Sequence, residues 1–324
     1  MGKSRLARKS ERLHQLDVDD FDESEDASFA SDDSDDTQLK WTHEYSPESA
    51  VRRPLLVLRD IAISIYQGRE MAKRLFLRNI ASSYRQTLLG FLWILLPVAI
   101  QIATWYFLAE QKILSISGAN SQVPFLLFLS IGSVIWQTFF DSILAPLGSL
   151  QRNQTLLTKL NFPRETLVMI GLWEVMFNFA VRAVMITIMC LIYTIWFQGV
   201  IWTHLTLLAP LFLIGLIALG TSIGLALTPV GVLYQDIGRS LAMISPFWMV
   251  LTPVIYPAEQ SSPLWIMVNP PAAMLSVARD LLVTGDTQLL PIALAWLLIT
   301  IPMLLFGMVW YRMSFPILIE RIAN

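Results

Sequence analysis

The sequence predicts an all-α membrane protein with six transmembrane helices, and three observations carry that prediction. The 324 residues are 55% hydrophobic and only 15% charged, whereas a soluble domain carries about 25% charge. Six apolar stretches each approach the ~20 residues that a helix needs to cross a hydrocarbon core. The basic residues crowd to one side of the topology that these stretches define.

Residues 1–50 read as a disordered acidic tail. They open with Lys3, Arg5, Arg8, Lys9 and Arg12, then turn acidic and Ser-rich from Asp17 to Asp36. Such a segment has too little apolar surface to offset its ordering entropy. The first apolar run begins past residue 50, so no signal peptide is expected. Residues 51–87 read as an amphipathic helix at a membrane interface. Leu55, Leu58, Ile61, Ile65, Leu75 and Ile80 recur at helical spacing, with Arg59, Arg69, Lys73, Arg74 and Arg78 interleaved. Gly68 is expected to bend or break it; a helix packed on a partner is the alternative.

The transmembrane domain occupies 88–324, with spans expected at 88–109, 124–150, 167–197, 205–228, 239–256 and 289–311. Between the last two, Leu264–Val283 is interrupted by Asn269-Pro270-Pro271 and by Arg279-Asp280. Adjacent prolines break a helix and a mid-span charge pair is costly, so short re-entrant or interfacial helices are expected there. With the N-terminus in the cytoplasm, all of the 23 Lys and Arg except Lys112, Arg182 and Arg279 fall inside. The positive-inside rule then favours cytoplasmic N- and C-termini.

Enzymatic chemistry finds little footing. Cys190 is the one cysteine, and His14, His43 and His204 are far apart, so no metal site is expected. Gly215 with Gly220-Thr221-Ser222 is a near miss to a phosphate-binding loop, but Thr221 stands where that loop needs lysine. Gly220 and Gly224 form a GxxxG, which allows close helix approach.

Inside the membrane, Glu174, Asn178 and Arg182 share one helix face at i, i+4 and i+8. Glu174 and Arg182 are about 12 Å apart along the axis, too far for a direct pair. Asp141 is the other intramembrane carboxylate. The four residues read either as a coupling network or as a structural clamp between the second and third spans. Trp93, Trp105, Tyr106, Phe139, Phe140, Trp248 and Tyr256 read either as an interfacial belt or as rings lining a path for sugars.

Five motifs follow one another along the chain: Tyr84-Arg85 through Trp93 to Pro97; Asn161-Phe162-Pro163-Arg164-Glu165; Tyr234-Gln235-Asp236-Ile237-Gly238-Arg239; Pro253-Val254-Ile255-Tyr256-Pro257; and Asn269-Pro270 followed by Arg279-Asp280. In register, they resemble ABC-2-type polysaccharide and polyol-phosphate export permeases. Gln235 stands where that family usually has Arg, and the acidic tail has no counterpart. The likeness covers about residues 55–320.

The resemblance implies the membrane subunit of an O-antigen, lipopolysaccharide, capsule or teichoic acid ABC exporter in a bacterial cytoplasmic (inner) membrane. It implies a homodimer joined to two cytoplasmic ATPase subunits, which would carry the ATP and Mg; this chain itself would hold no cofactor. The substrate would be a lipid-linked glycan, such as an undecaprenyl-diphosphate-linked polymer, or a polyol-phosphate chain. Membrane lipids are expected partners and nucleic acid is not. By motif, Arg74, Arg78, Tyr84 and Arg85 would line the cleft that grips the ATPase, and Thr158, Phe162, Pro163, Arg164 and Glu165 would form the coupling helix. Rival readings are an ABC-2 permease for drugs or lipids, a membrane-embedded transferase and a secondary transporter.

Overall fold

Long apolar runs without water to satisfy their backbones must bond internally, and in the computed structural model the long apolar runs among the described residues are helical. The structure describes residues 54–85, 90, 92–111, 125–154, 163–197, 204–234, 236–258, 261–283 and 288–323. The expected tail at 1–50 lies outside them. The described helices are α1 (Pro54–Arg85), α2 (Leu92–Glu110), α3 (Phe125–Arg152), α4 (Glu165–Phe197), α5 (Ala209–Leu233), α6 (Asp236–Leu251), α7 (Pro263–Val268), α8 (Pro270–Val283) and α9 (Leu290–Ala323). A 3-10 turn at His204–Leu208 leads into α5.

Four described helices are long and apolar enough to cross a membrane, within Phe125–Arg152, Glu165–Ile192, Thr206–Leu233 and Leu290–Phe315. The first and fifth expected spans form shorter helices. α2 has 19 residues and α6 has 16, which at 1.5 Å per residue gives about 28 and 24 Å. The expected fifth span to residue 256 ends early because the chain turns after Leu251, ahead of Pro253. Asn269 separates α7 from α8, and the two prolines that follow occupy α8's first turn, where missing N–H groups cost nothing.

α3 and α5 form the interior, with 78% and 61% of their spans buried, while α4 and α9 are 17% buried and present most of their surface outward. α5 packs against α9, α3 and α8. Gly220 and Gly224 make the α3 contact possible: a Cβ on Gly224 would lie 3.1 Å from both the Ile143 carbonyl carbon and Pro146 Cδ. The same packing buries Thr221 and Ser222. Buried hydroxyls close on their own helices, as with Thr138 to the Val134 carbonyl and Thr228 to the Gly224 carbonyl.

α1 is continuous from Pro54 to Arg85, so the expected break at Gly68 is absent. Gly68 instead lies where α1 presses on the start of α4: an added Cβ would collide with the Thr166 side chain and lie 3.7 Å from Pro163 Cβ. Further along, Phe76 meets Trp173 and Phe177 edge-on at 5.8 and 6.3 Å between centroids. The contacts rise together in both helices, so α1 runs beside α4 in the same direction. Ile61, Ala72 and Leu75 turn inward, while Arg59, Arg69, Lys73, Arg74 and Arg78 stay exposed.

Candidate functional site

Three polar constellations stand at three depths. Along α3, Phe128 and Arg152 are separated by about 36 Å at 1.5 Å per residue, a little more than the ~30 Å hydrocarbon core. Asp141 lies between them, about 20 Å from Phe128.

The middle constellation is an ion pair. Arg182 Nη1 on α4 donates to Asp141 Oδ2 on α3 at 2.6 Å, and its Nε reaches the Ile94 carbonyl on α2 at 3.5 Å. The side chains are 6% and 28% exposed. One guanidinium thus ties three helices together where an unpaired charge is costly. Glu174 takes no part. It accepts hydrogen bonds from Arg152 at the end of α3 and, at 3.1 Å, from Asn79 Nδ2 of α1. Asn178 lies half-buried between the two on α4.

The constellation at the Phe128 end was not singled out by the sequence as a site. Arg279, 1% exposed, donates through Nη1 to the carbonyls of Pro253 at 2.9 Å and Val254 at 3.3 Å. Its Nε meets Asp280 Oδ1 at 3.3 Å, and the guanidinium lies 3.7 Å from the Phe128 ring centroid. One residue type explains all of this, because a planar guanidinium both bonds in its plane and stacks on its face. Asn269 reinforces the same turn: it accepts from Trp248 Nε1 at 3.1 Å and donates to Thr252 Oγ1 at 3.0 Å. The available signal was the pairing of the Pro253–Pro257, Asn269-Pro270 and Arg279-Asp280 motifs, which belong to one cage.

The third constellation gathers at the Arg152 end. Glu165 Oε1 accepts from Arg312 Nη1 at 3.2 Å, with side chains 10% and 12% exposed. The Arg164 guanidinium lies 5.0 Å from the Phe315 ring, and the Tyr311 hydroxyl donates to the Arg164 carbonyl at 3.4 Å. The 163–165 corner is therefore wedged between α1 and α9, with Glu165 turned inward. Arg78 Nη2 donates to Asn153 Oδ1 at 3.3 Å, whereas Arg74 is exposed. Tyr84 and Arg85 end α1; Thr158 and Phe162 lie outside the described residues.

The aromatic residues divide. Phe139 and Phe140 join Trp136 in the core, and half-buried Trp248 packs against them, with ring centroids 5.5 to 6.4 Å apart. Trp93 and Tyr106 are exposed on α2, and Trp105 and Tyr256 are half-buried. An open groove of about 550 Å³ between α2 and α4 is lined by apolar side chains alone, among them Leu95, Val181 and Met185.

No family model matches this sequence. Among curated proteins, the O-antigen export system permease protein RfbA of Myxococcus xanthus is 23% identical over 218 residues, covering 65% of this chain and 80% of the relative. The chain is a distant relative of an export permease. The four long apolar helices and that distant relationship fit a multi-pass membrane protein. The polar helix contacts of the chain join α1, α3, α4 and α9 at one end, α2, α3 and α4 in the middle, and α3, α6 and α8 at the other end.

Proposed function

We propose that this chain is the membrane-spanning subunit of an ATP-driven ABC exporter that moves a lipid-linked polysaccharide, or a polyol-phosphate polymer, to the outer side of a bacterial cytoplasmic membrane. The observation that carries the reading is the alignment with an O-antigen export permease over 80% of that protein. Six crossings with both termini cytoplasmic follow, with α2 and α6 as the two short ones. In support, Arg78, Arg152, Arg164 and Arg312 all belong to the constellation at one end, as expected for a cytoplasmic face. The working unit is a homodimer with two ATPase subunits, and the bound lipids of the bilayer complete it.

Deleting the gene should abolish surface polysaccharide and accumulate its lipid-linked precursor inside the cell, with restoration by the intact gene. Normal surface polymer combined with altered drug or lipid efflux would overturn the glycan reading in favour of a drug or lipid permease. The purified chain alone is expected to hydrolyse no ATP, since the power stroke belongs to the partner. Turnover by a preparation shown free of ATPase subunit would refute that division of labour.

Phe162, Pro163, Arg164 and Glu165 form the lever in this reading. Glu165 and Arg164 brace the corner against α9, and the role proposed for Phe162 is that of an anchor for the ATPase. An aromatic anchor in a partner's pocket is a typical hot spot, so Phe162→Ala should weaken the complex by about 1–3 kcal/mol. Co-purification at matched expression measures this. Unchanged complex yield and export would remove the loop as the lever.

A further inference from the structure

α1 is held to the spans by two successive residues that reach two different helices. Arg78 donates to Asn153 at the end of α3, and Asn79 donates to Glu174 on α4. Asn153 is 1% exposed and is itself fixed by donating to the Ser149 carbonyl at 2.8 Å. Glu174 accepts from Arg152 as well, so one carboxylate joins α1, α3 and α4. Each of its oxygens has a different partner: Oε1 takes Asn79 and Oε2 takes Arg152. One turn earlier, Lys73 and Arg74 remain exposed on α1. The helix therefore has one face fastened to the spans and another open to a partner.

The α1–α4 contact is close-packed where Gly68 meets Thr166, and such packing resists sliding. Hydrogen bonds to a carboxylate are stronger than neutral ones and directional. The Asn79–Glu174 bond therefore adds to the register at the far end of the contact.

We infer that Glu174 is a positioning residue through which displacement of α1 reaches α3 and α4 together. This rests on the reading of the chain as an ATPase-driven permease, and it adds a second route beside the proposed lever at Phe162 to Glu165. Movement of the ATPase against the exposed face of α1 shifts Asn79. Glu174 then carries the shift to α4 along its own backbone and to α3 through Arg152.

Hydrogen exchange on the full chain in nanodiscs tests the link without any ATPase. Glu174→Gln and Asn79→Ala should each speed amide exchange within residues 72–83 by tenfold or more, with exchange in α5 unchanged. Glu174→Asp, which keeps the charge, should recover most of the protection. Unchanged exchange in Glu174→Gln would overturn the inference.

The second arm uses the chain reconstituted with its ATPase, with Mg-ATP and vanadate as the probe. The parent should show nucleotide-dependent exchange changes in α1 and at 140–152 and 165–175. Glu174→Gln should keep the change in α1 and lose the other two, while ATP hydrolysis stays within twofold. Parent-like propagation in that variant would also overturn the inference. Failure of any ATPase to assemble would instead defeat the proposed function and leave the first arm standing.

Discussion

Replacing Arg279 by alanine is expected to release the whole turn between α6 and α8. The substitution removes two bonds to carbonyls of the 253–254 turn, the Asp280 partner and the Phe128 stacking contact. It leaves those carbonyls without their donor in the pocket that sealed the guanidinium from solvent, beside the partly exposed Asp280 carboxylate. Removing one partner of a buried, hydrogen-bonded charge costs roughly 3–5 kcal/mol. The loss should appear as a lower melting temperature of the purified chain and as new protease or cysteine-label access at residues 252–283. Arg279→Lys should recover only part, because an ammonium can reach a carbonyl but cannot bond in plane while stacking on Phe128. Parent-like melting of Arg279→Ala would show that α8 is held by its apolar packing alone.

Arg182→Ala should damage assembly more than Arg182→Lys. The alanine variant leaves Asp141 without its cation at mid-membrane depth and frees the Ile94 carbonyl. A buried pair that loses one partner costs about 3–5 kcal/mol. Because Asp141 is 28% exposed, the lower end of that range is expected. Lysine keeps the charge and one bond to Asp141 but gives up the bridge to α2. Abundance in the membrane and detergent-resistant assembly are the measurements, and the order Ala, Lys, parent is the expected result. Equal assembly of all three would mean that water reaches the pair and that it holds nothing together. The double variant Arg182→Leu/Asp141→Leu provides a further check. Replacing both charges with apolar groups should restore most of the assembly, while a coupling role would still leave export impaired.

Much of the helical frame was legible from hydropathy and breakers. Four of the six expected spans recur as long apolar helices, and the Asn269-Pro270-Pro271 break falls where the prolines place it. Helix-face arithmetic separated Glu174 from Arg182 correctly, because their spacing along one axis is set by the backbone alone. Their partners were not legible. Glu174 meets Asn79 and Arg152, which lie 95 and 22 residues away in the chain. Only the pairing of whole helices brings those residues to one point. Gly68 was misread for a similar reason: a glycine that bends a helix and one that admits a neighbour look alike in sequence, and here Thr166 decides.

What the sequence by itself determined about this protein is its solvent, its helices and the end of each helix that carries charge. These are local properties: a run of apolar residues, a proline, a cluster of arginines. Which helices lie inside was decided only by the tertiary structure. The outward-facing spans in α4 and α9 are more apolar than interior α3, yet interior α5 is as apolar as α4. In water the most apolar element is buried. In lipid the apolar face turns outward and the helix that carries Ser, Thr, Gly and Asp is the one that must find protein partners. Hydropathy therefore does not separate inside from outside: α5 lies in the interior because Gly220 and Gly224 admit α3, and the burial of Phe139 and Arg279 follows from packing that no single segment encodes.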